Sequence, residues 1–113
     1  MLNDVTMDLV YKAMQGLSAR QKATADNIAN VETPGYKAAT VDFESSLRSA
    51  IDDRAPAEAT FTTGKSAQPN GPNENNVSLD EETITAINTN LRYQTMVEAM
   101  NAKFRLLRTA IEG

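Results

Sequence analysis

The chain has 113 residues and a formal net charge of −4, and 41% of its residues are hydrophobic but only 5% aromatic. This length allows one domain at most, and the acidic balance disfavours nucleic-acid binding, because such domains are strongly basic. The sequence contains no Cys and no His, which excludes disulfides and thiolate zinc sites and removes the commonest acid–base and nucleophilic groups. We therefore expect a protein that is not an enzyme, with no catalytic, metal-binding or cofactor-binding residues.

The N-terminus indicates neither a membrane span nor a cleaved secretory signal. No segment reaches the ~18 consecutive apolar residues that predict a transmembrane helix. The first residues carry Asp4 and Asp8, whereas the start of a cleaved signal carries Lys or Arg. The protein is thus expected either to stay in the cytoplasm or to leave the cell by another route.

Residues 1–32 are predicted to form an N-terminal helix. Spacings of three and four residues, typical of a helix that packs along a partner helix, connect Met7, Val10, Met14, Leu17, Gln21, Thr24, Ile28 and Val31. Of these, Val10, Met14, Leu17 and Ile28 are candidate subunit-packing residues. The helix should stop before Pro34, and Gly35 should supply the positive φ of a type II turn.

Residues 33–76 are predicted to hold this turn and an irregular middle segment. Three of the four prolines and two of the five glycines lie between residues 54 and 76. The run 69–76 is too polar and too interrupted to bury much surface, which predicts a loop or disorder. Residues 59–63 could form a short strand.

Residues 77–113 are predicted to form a C-terminal helix, roughly from Leu79 to Ile111, in one domain with the N-terminal helix. Ser78 and Glu81 have the spacing of a capping box. The predicted fold is mostly α, with two long terminal helices packing as a coiled-coil-like inner domain around a loop-rich middle that is irregular or contains short strands. Such a hairpin buries little apolar surface, so partner subunits should complete its core.

The apolar residues of the C-terminal helix fall into two stripes. Ile84, Ile87 and Leu91 make the first; the second contains Tyr93, Val97, Met100, Phe104, Leu107 and Ile111. At ~100° per residue the stripes point to nearly opposite sides of the helix. They predict different neighbours at different heights in an assembly, the second stripe facing the N-terminal helix or a neighbouring subunit. A kink or ordinary irregular packing is the alternative explanation.

One ten-residue stretch at the end of the first helix is dense in turn-forming residues. On physical grounds alone, Asn27 and Asn30 can hydrogen-bond nearby backbone, Pro34-Gly35 can reverse the chain and Tyr36 can anchor it. The stretch also resembles the signature shared by bacterial flagellar rod and hook proteins, N-[IL]-A-N-x-x-T-P-G-[YF]. Its matching residues are Asn27, Asn30, Thr33, Pro34, Gly35 and Tyr36. Further similarity covers about residues 1–51 and 75–113.

The resemblance implies a structural subunit of the proximal rod in the flagellar basal body. Such subunits leave the cell through the flagellar type III export apparatus without a cleaved signal and polymerise in the periplasm into the axial drive shaft and export channel. Expected partners are further copies of the chain, other rod proteins, the membrane-ring adaptor protein at the rod base and the export apparatus. The signature residues would serve folding and subunit packing, with no cofactor, no nucleic acid and no direct membrane insertion.

A function of a different class remains open from the residues themselves. A soluble cytoplasmic helical adaptor or export chaperone could hold a partner helix in a groove between its own helices. Such an adaptor has no physical need for the unbroken signature from Asn27 to Tyr36, which favours the rod subunit.

Overall fold

The computed structural model describes residues 4–112, so residues 1–3 of the predicted N-terminal segment and residue 113 of the C-terminal one lie outside the described residues. Two long helices dominate the fold, and a short middle segment connects them. In chain order the elements are α1 (Asp4–Ala29), β1 (Ala39–Val41), α2 (Phe43–Asp52), β2 (Thr63–Lys65) and α3 (Leu79–Glu112), with single 3-10 turns at Pro56–Glu58 and Pro72–Glu74.

The two long helices pack against each other in opposite directions, which confirms the predicted helical architecture. Asn27, near the end of α1, bonds to Glu82 in the first turns of α3, while Met96 packs against the same core as Leu9 near the start of α1. At ~1.5 Å per residue the 34 residues of α3 span about 50 Å. The described chain is accordingly elongated, measuring 62 × 27 × 14 Å. None of its helices is both long enough and apolar enough to cross a bilayer.

The core lies where α1, β1 and α2 meet. It is small, and its buried apolar residues are Leu17, Ala23, Val41, Phe43, Leu47 and Ala59. The Phe43 ring lies directly over Gly16 of α1, where a Cβ atom would be only 2.2 Å from Cγ of the ring. Glycine is therefore needed at position 16 for close approach and not for an unusual backbone angle.

The middle segment contains a helix that sequence analysis does not predict. The side chain of Asp42 caps α2 by accepting a hydrogen bond from the Ser45 amide at 3.1 Å. Phe43 and Leu47, four residues apart, turn to the same side and are buried. Ten residues with two large buried side chains give too short a periodic pattern to distinguish a helix from a loop.

The middle segment contains short strands, as predicted for the fold class, but not at the predicted position. β1 and β2 pair antiparallel, with Val41 opposite Thr63 and Ala39 opposite Lys65. The predicted strand at 59–63 overlaps β2 only at Thr63. Ala59 and the half-buried Phe61 contact the core before the pairing begins, so their apolar character reflects core packing.

Candidate functional site

The signature stretch forms the exit from α1 and a tight turn. The Tyr36 amide donates to the Thr33 carbonyl at 3.2 Å, and Gly35 has φ +73°. These features confirm the predicted type II turn, whose third residue needs a positive φ that glycine adopts without steric cost. The Gly35 amide also donates to the Asn73 carbonyl at 2.7 Å, which ties the turn to the distant middle segment.

Asn27 is the centre of the site and is only 1% exposed. Its Oδ1 accepts from the Ala39 amide at 2.7 Å and from the Tyr36 hydroxyl at 3.1 Å. Its Nδ2 donates to the Ala39 carbonyl at 2.9 Å and to Glu82 Oε1 at 3.0 Å. One amide side chain thereby joins α1, the turn, β1 and α3, and its two donors and two acceptor positions are all used.

Asn30 and Thr33 shape the chain between helix and turn. Asn30 Nδ2 donates to the Asp26 carbonyl at 2.8 Å, and Thr33 Oγ1 donates to Asn30 Oδ1 at 3.0 Å. The Asp26 carbonyl also accepts from the Asn30 amide at 3.1 Å, so the Asn30 side chain adds a second bond to the same carbonyl at the end of the helix. The signature thus contains one asparagine that reaches across the fold and another that caps the helix locally.

Asn75 and Asn76 attach the middle segment to the signature turn. Asn75 Nδ2 donates to the carbonyls of Asn30 and Thr33, both at 2.8 Å. Asn76 Oδ1 accepts from the Ala38 amide at 2.7 Å, and both asparagines are buried. The expectation that the polar run 69–76 buries little is therefore wrong at these two residues. Their role could not be predicted from the sequence, because a polar pair in a loop carries no periodic signal.

Burial and nearby acidic groups determine the electrostatics around Asn27. Burial raises the pKa of the half-buried Glu82 carboxyl above its ordinary value, against the opposing effect of the Asn27 hydrogen bond. Burial also raises the pKa of the Tyr36 hydroxyl, and the carboxylates of Asp26 and Glu82 act in the same direction. Both groups are thus biased toward their neutral, hydrogen-bonding forms.

A second polar contact connects α1 to α2. Arg20 donates to both carboxylate oxygens of Glu44, at 2.6 and 2.8 Å, and its guanidinium lies 4.7 Å from the centre of the Phe43 ring. The Arg20 hydrogen bond is the main reason that the pKa of Glu44 lies below its ordinary value. Arg92 of α3 approaches the same carboxylate at 3.4 Å, so Glu44 links three helices.

The arrangement is suited to holding backbone segments together. Among the described residues, every buried side-chain nitrogen or oxygen has a hydrogen-bond partner. The buried polar groups of the signature are consequently all bonded within the fold, to the backbone or to other side chains. In residues 4–112 no three acidic side chains converge as a metal site would require.

The predicted subunit-packing residues differ in how much of their side chains is exposed. Leu17 is buried in the core, and Val10, Met14, Val97 and Met100 are half-buried. The remaining ones are exposed large apolar residues, namely Ile28, Ile84, Ile87, Leu91, Tyr93, Phe104, Leu107 and Ile111. Most of the predicted packing surface is therefore uncovered in a single chain.

The two predicted stripes of α3 lie on different sides of the helix. Thr89 is buried between the long helices, whereas Ile87 and Leu91, each two residues away, are turned ~200° around the helix axis and are exposed. Met96 and Met100, at helical spacing from Thr89, continue the side that faces α1 and are half-buried. Beyond them this side carries the exposed Phe104, Leu107 and Ile111.

Comparison with known proteins connects this architecture to one family. The family model described as flagella basal body rod protein matches residues 11–37, which span most of α1 and the signature turn. The flagellar basal body rod protein FlgB of Bacillus subtilis is 32% identical, over 96% of this chain and 94% of the relative. FlgB of Borrelia hermsii is 27% identical and that of Escherichia coli K12 24% identical, each over at least 95% of both chains. The chain therefore belongs to the FlgB family of flagellar basal body rod proteins.

Proposed function

We propose that the protein is a structural subunit of the proximal rod in the flagellar basal body, where it polymerises with other rod proteins into the drive shaft and export channel. The observation that carries the proposal is the surface of α3. Nine of its large apolar side chains are exposed, namely Leu79, Ile84, Ile87, Leu91, Tyr93, Phe104, Leu106, Leu107 and Ile111. Apolar surface in this amount on a small chain marks a protein interface.

In this proposal the terminal helices and the middle segment have different structural roles. The terminal segments, residues 1–32 and 77–113, form the inner domain of the rod, and residues 33–76 fix the geometry at one end of it. The signature residues act on folding, because their hydrogen bonds hold the start of β1 and the start of α3 against the end of α1. We assign the protein no catalytic activity.

The proposal includes the proteins that the subunit contacts and the way it is exported from the cytoplasm. Besides its own copies and other rod proteins, the subunit contacts the membrane-ring adaptor at the rod base. It reaches the periplasm through the flagellar type III export apparatus. A chain without cysteine suits passage in an unfolded state into an oxidising compartment.

Quantitative mass spectrometry of purified hook–basal bodies, beside the soluble fraction of the same cells, tests the assignment. A rod subunit co-purifies with the basal body at a constant ratio to other rod proteins, and the ratio survives washing in high salt. A chain found in the soluble fraction and missing from the basal body would overturn the proposal and support the adaptor function.

A further inference from the structure

The side of α3 that faces away from α1 carries an apolar ridge bounded by acidic residues. Ile84, Ile87 and Leu91 are 60%, 57% and 56% exposed, and spacings of three and four residues align them on one face. The same spacing places Asp80 one turn before them and Glu98 two turns after. We call Ile84, Ile87 and Leu91 the outer ridge.

A groove with an apolar lining and a basic residue at one end lies on another side of the molecule. It has a volume of about 590 Å³, and its apolar lining comes from Tyr11, Met14, Phe61 and Tyr93. Lys22 lies at one end and is exposed. We call this the tyrosine groove. Tyr93 is turned ~200° around α3 from Leu91, so ridge and groove point in different directions and cannot meet within one chain.

We propose that the outer ridge of one subunit docks into the tyrosine groove of a second copy of this chain. The inference rests on the proposed rod function and specifies one contact within it. Docking covers apolar side chains on both surfaces. It also brings Lys22, at one end of the groove, to Asp80, one turn beyond the ridge, which gives the two surfaces charge complementarity at that end.

The lengths of the two surfaces agree. Ile84 to Leu91 spans ~10 Å along α3, and Tyr11 to Lys22 spans ~16 Å along α1. The groove thus accommodates the ridge with about one helical turn to spare, and the Lys22 side chain can extend toward Asp80 beyond the ridge.

The contact is heterologous, since it uses two different patches of the same protein. Such a contact does not use up both surfaces in a dimer: each added subunit presents a new ridge or a new groove. It therefore links subunits into a ring or a helical array, both of which a tubular rod can be built from. Three ridge side chains form less than the roughly 800 Å² per partner of a typical stable interface, so the contact acts together with others in the assembled rod.

Cysteine cross-linking tests this contact directly because the chain has no cysteine of its own. The probe variant combines Ile87→Cys with Tyr11→Cys, both at exposed positions. Basal bodies purified from cells that produce the variant are treated with a short bismaleimide and separated by denaturing electrophoresis. We expect a ladder of dimers, trimers and larger products. A second pair, Ile84→Cys with Ser18→Cys, should give the same ladder, because it follows from the same direction of docking with Asp80 at Lys22.

Control variants make each outcome decisive. Asn101→Cys with Tyr11→Cys should leave the subunit uncross-linked, because Asn101 is exposed but lies ~21 Å from Ile87 along α3. Each single variant should also give no product. Dimers from Ile87→Cys alone would mean that the ridge packs on itself, and a product with a different protein would mean that another partner fills it; either result overturns the proposal. A variant present in basal bodies but uncross-linked overturns the contact and leaves the rod function standing, whereas a wild-type chain missing from basal bodies overturns both.

Discussion

Asn27 and Ala39 are joined by two hydrogen bonds, from the Ala39 amide to Asn27 Oδ1 at 2.7 Å and from Asn27 Nδ2 to the Ala39 carbonyl at 2.9 Å. A side-chain amide here takes the place that a neighbouring strand's backbone takes in a sheet, where opposed residues exchange both bonds. The end of α1 thereby holds the first residue of β1. Because the same side chain also bonds Tyr36 and Glu82, four segments depend on one residue.

Replacing Asn27 should destabilise the fold more than any substitution on the exposed surface. Asn27→Ala leaves the Ala39 amide and carbonyl without their side-chain partner, and we expect the free energy of unfolding to fall by about 2–4 kcal/mol. Asn27→Asp should be no better at neutral pH, since it cannot donate to the Ala39 carbonyl and adds a charge beside Glu82. Urea unfolding followed by circular dichroism measures both. Asn101→Ala, at an exposed position, is the matched control, and equal losses in the two alanine variants would contradict this role.

The loss of stability caused by a substitution at Gly35 should depend only on how readily the new residue adopts a positive φ. No atom lies within 4 Å of a Cβ built at this residue, and its φ is +73°. Gly35→Ala should therefore cost about 1–2 kcal/mol through backbone strain without any clash. Gly35→Asn should cost less, because asparagine enters the left-handed region more readily. Thermal unfolding of the two variants under identical conditions compares them, and an equal loss in both would show that strain is not the cause.

Gly16→Ala should lower the stability of the protein, although alanine has a higher helix propensity than glycine. In an exposed helix interior, Gly→Ala stabilises by about 1 kcal/mol. At Gly16 the new Cβ would lie 2.2 Å from the Phe43 ring, and overpacking of this kind costs about 1–3 kcal/mol. We expect a net loss of stability in urea unfolding. Ser18→Ala, on the exposed side of α1, should stay within about 0.5 kcal/mol of wild type. A Gly16→Ala variant as stable as wild type would show that α2 can move away from α1.

Glu82 should make the protein less stable as pH rises. Burial raises its pKa above the ordinary 4.5, so the folded chain binds this proton more tightly than the unfolded chain does. The stability that the proton contributes is lost as pH rises from 4.5 through the raised value. Glu82→Gln keeps an oxygen acceptor for Asn27 and should unfold at neutral pH no more readily than wild type. Glu81→Gln is the control, at an exposed neighbour; a large loss in Glu82→Gln at neutral pH would mean that the negative charge itself stabilises the site.

Glu44 should show the opposite pH dependence. Hydrogen bonding to Arg20 lowers its pKa, so its contribution is present above the ordinary value of 4.5 and is lost as pH falls through the lowered one. Glu44→Gln should cost about 1 kcal/mol at neutral pH, since the pair is partly exposed. The gap between variant and wild type should close in acid. Unfolding curves across the acidic range measure this, and a gap independent of pH would assign the loss to packing.

Local chemistry was sufficient to predict the long elements and the turn between them. The three- and four-residue apolar spacing predicted both terminal helices, and Pro34-Gly35 predicted the end of the first, because these signals act between residues close in the chain. The same signals place the two stripes of α3 on different sides, in agreement with an exposed Leu91 in the first stripe and a half-buried Met100 in the second. The ten residues from Asn27 to Tyr36 also carried enough specificity to indicate the family.

Contacts between distant residues were decided only by the tertiary structure. Asn75 and Asn76 are polar loop residues by every local measure, yet they are buried because their amides reach backbone groups more than 35 positions away. The position of α2 depends on the packing of the Phe43 ring over Gly16. The spacing of apolar residues within either helix does not predict this contact. The sequence by itself determined which segments are helical and where the first one ends, since propensity and periodicity are local. Which side of each helix is covered, and which is left for a partner, was decided by packing, because burial depends on what the rest of the chain brings into contact.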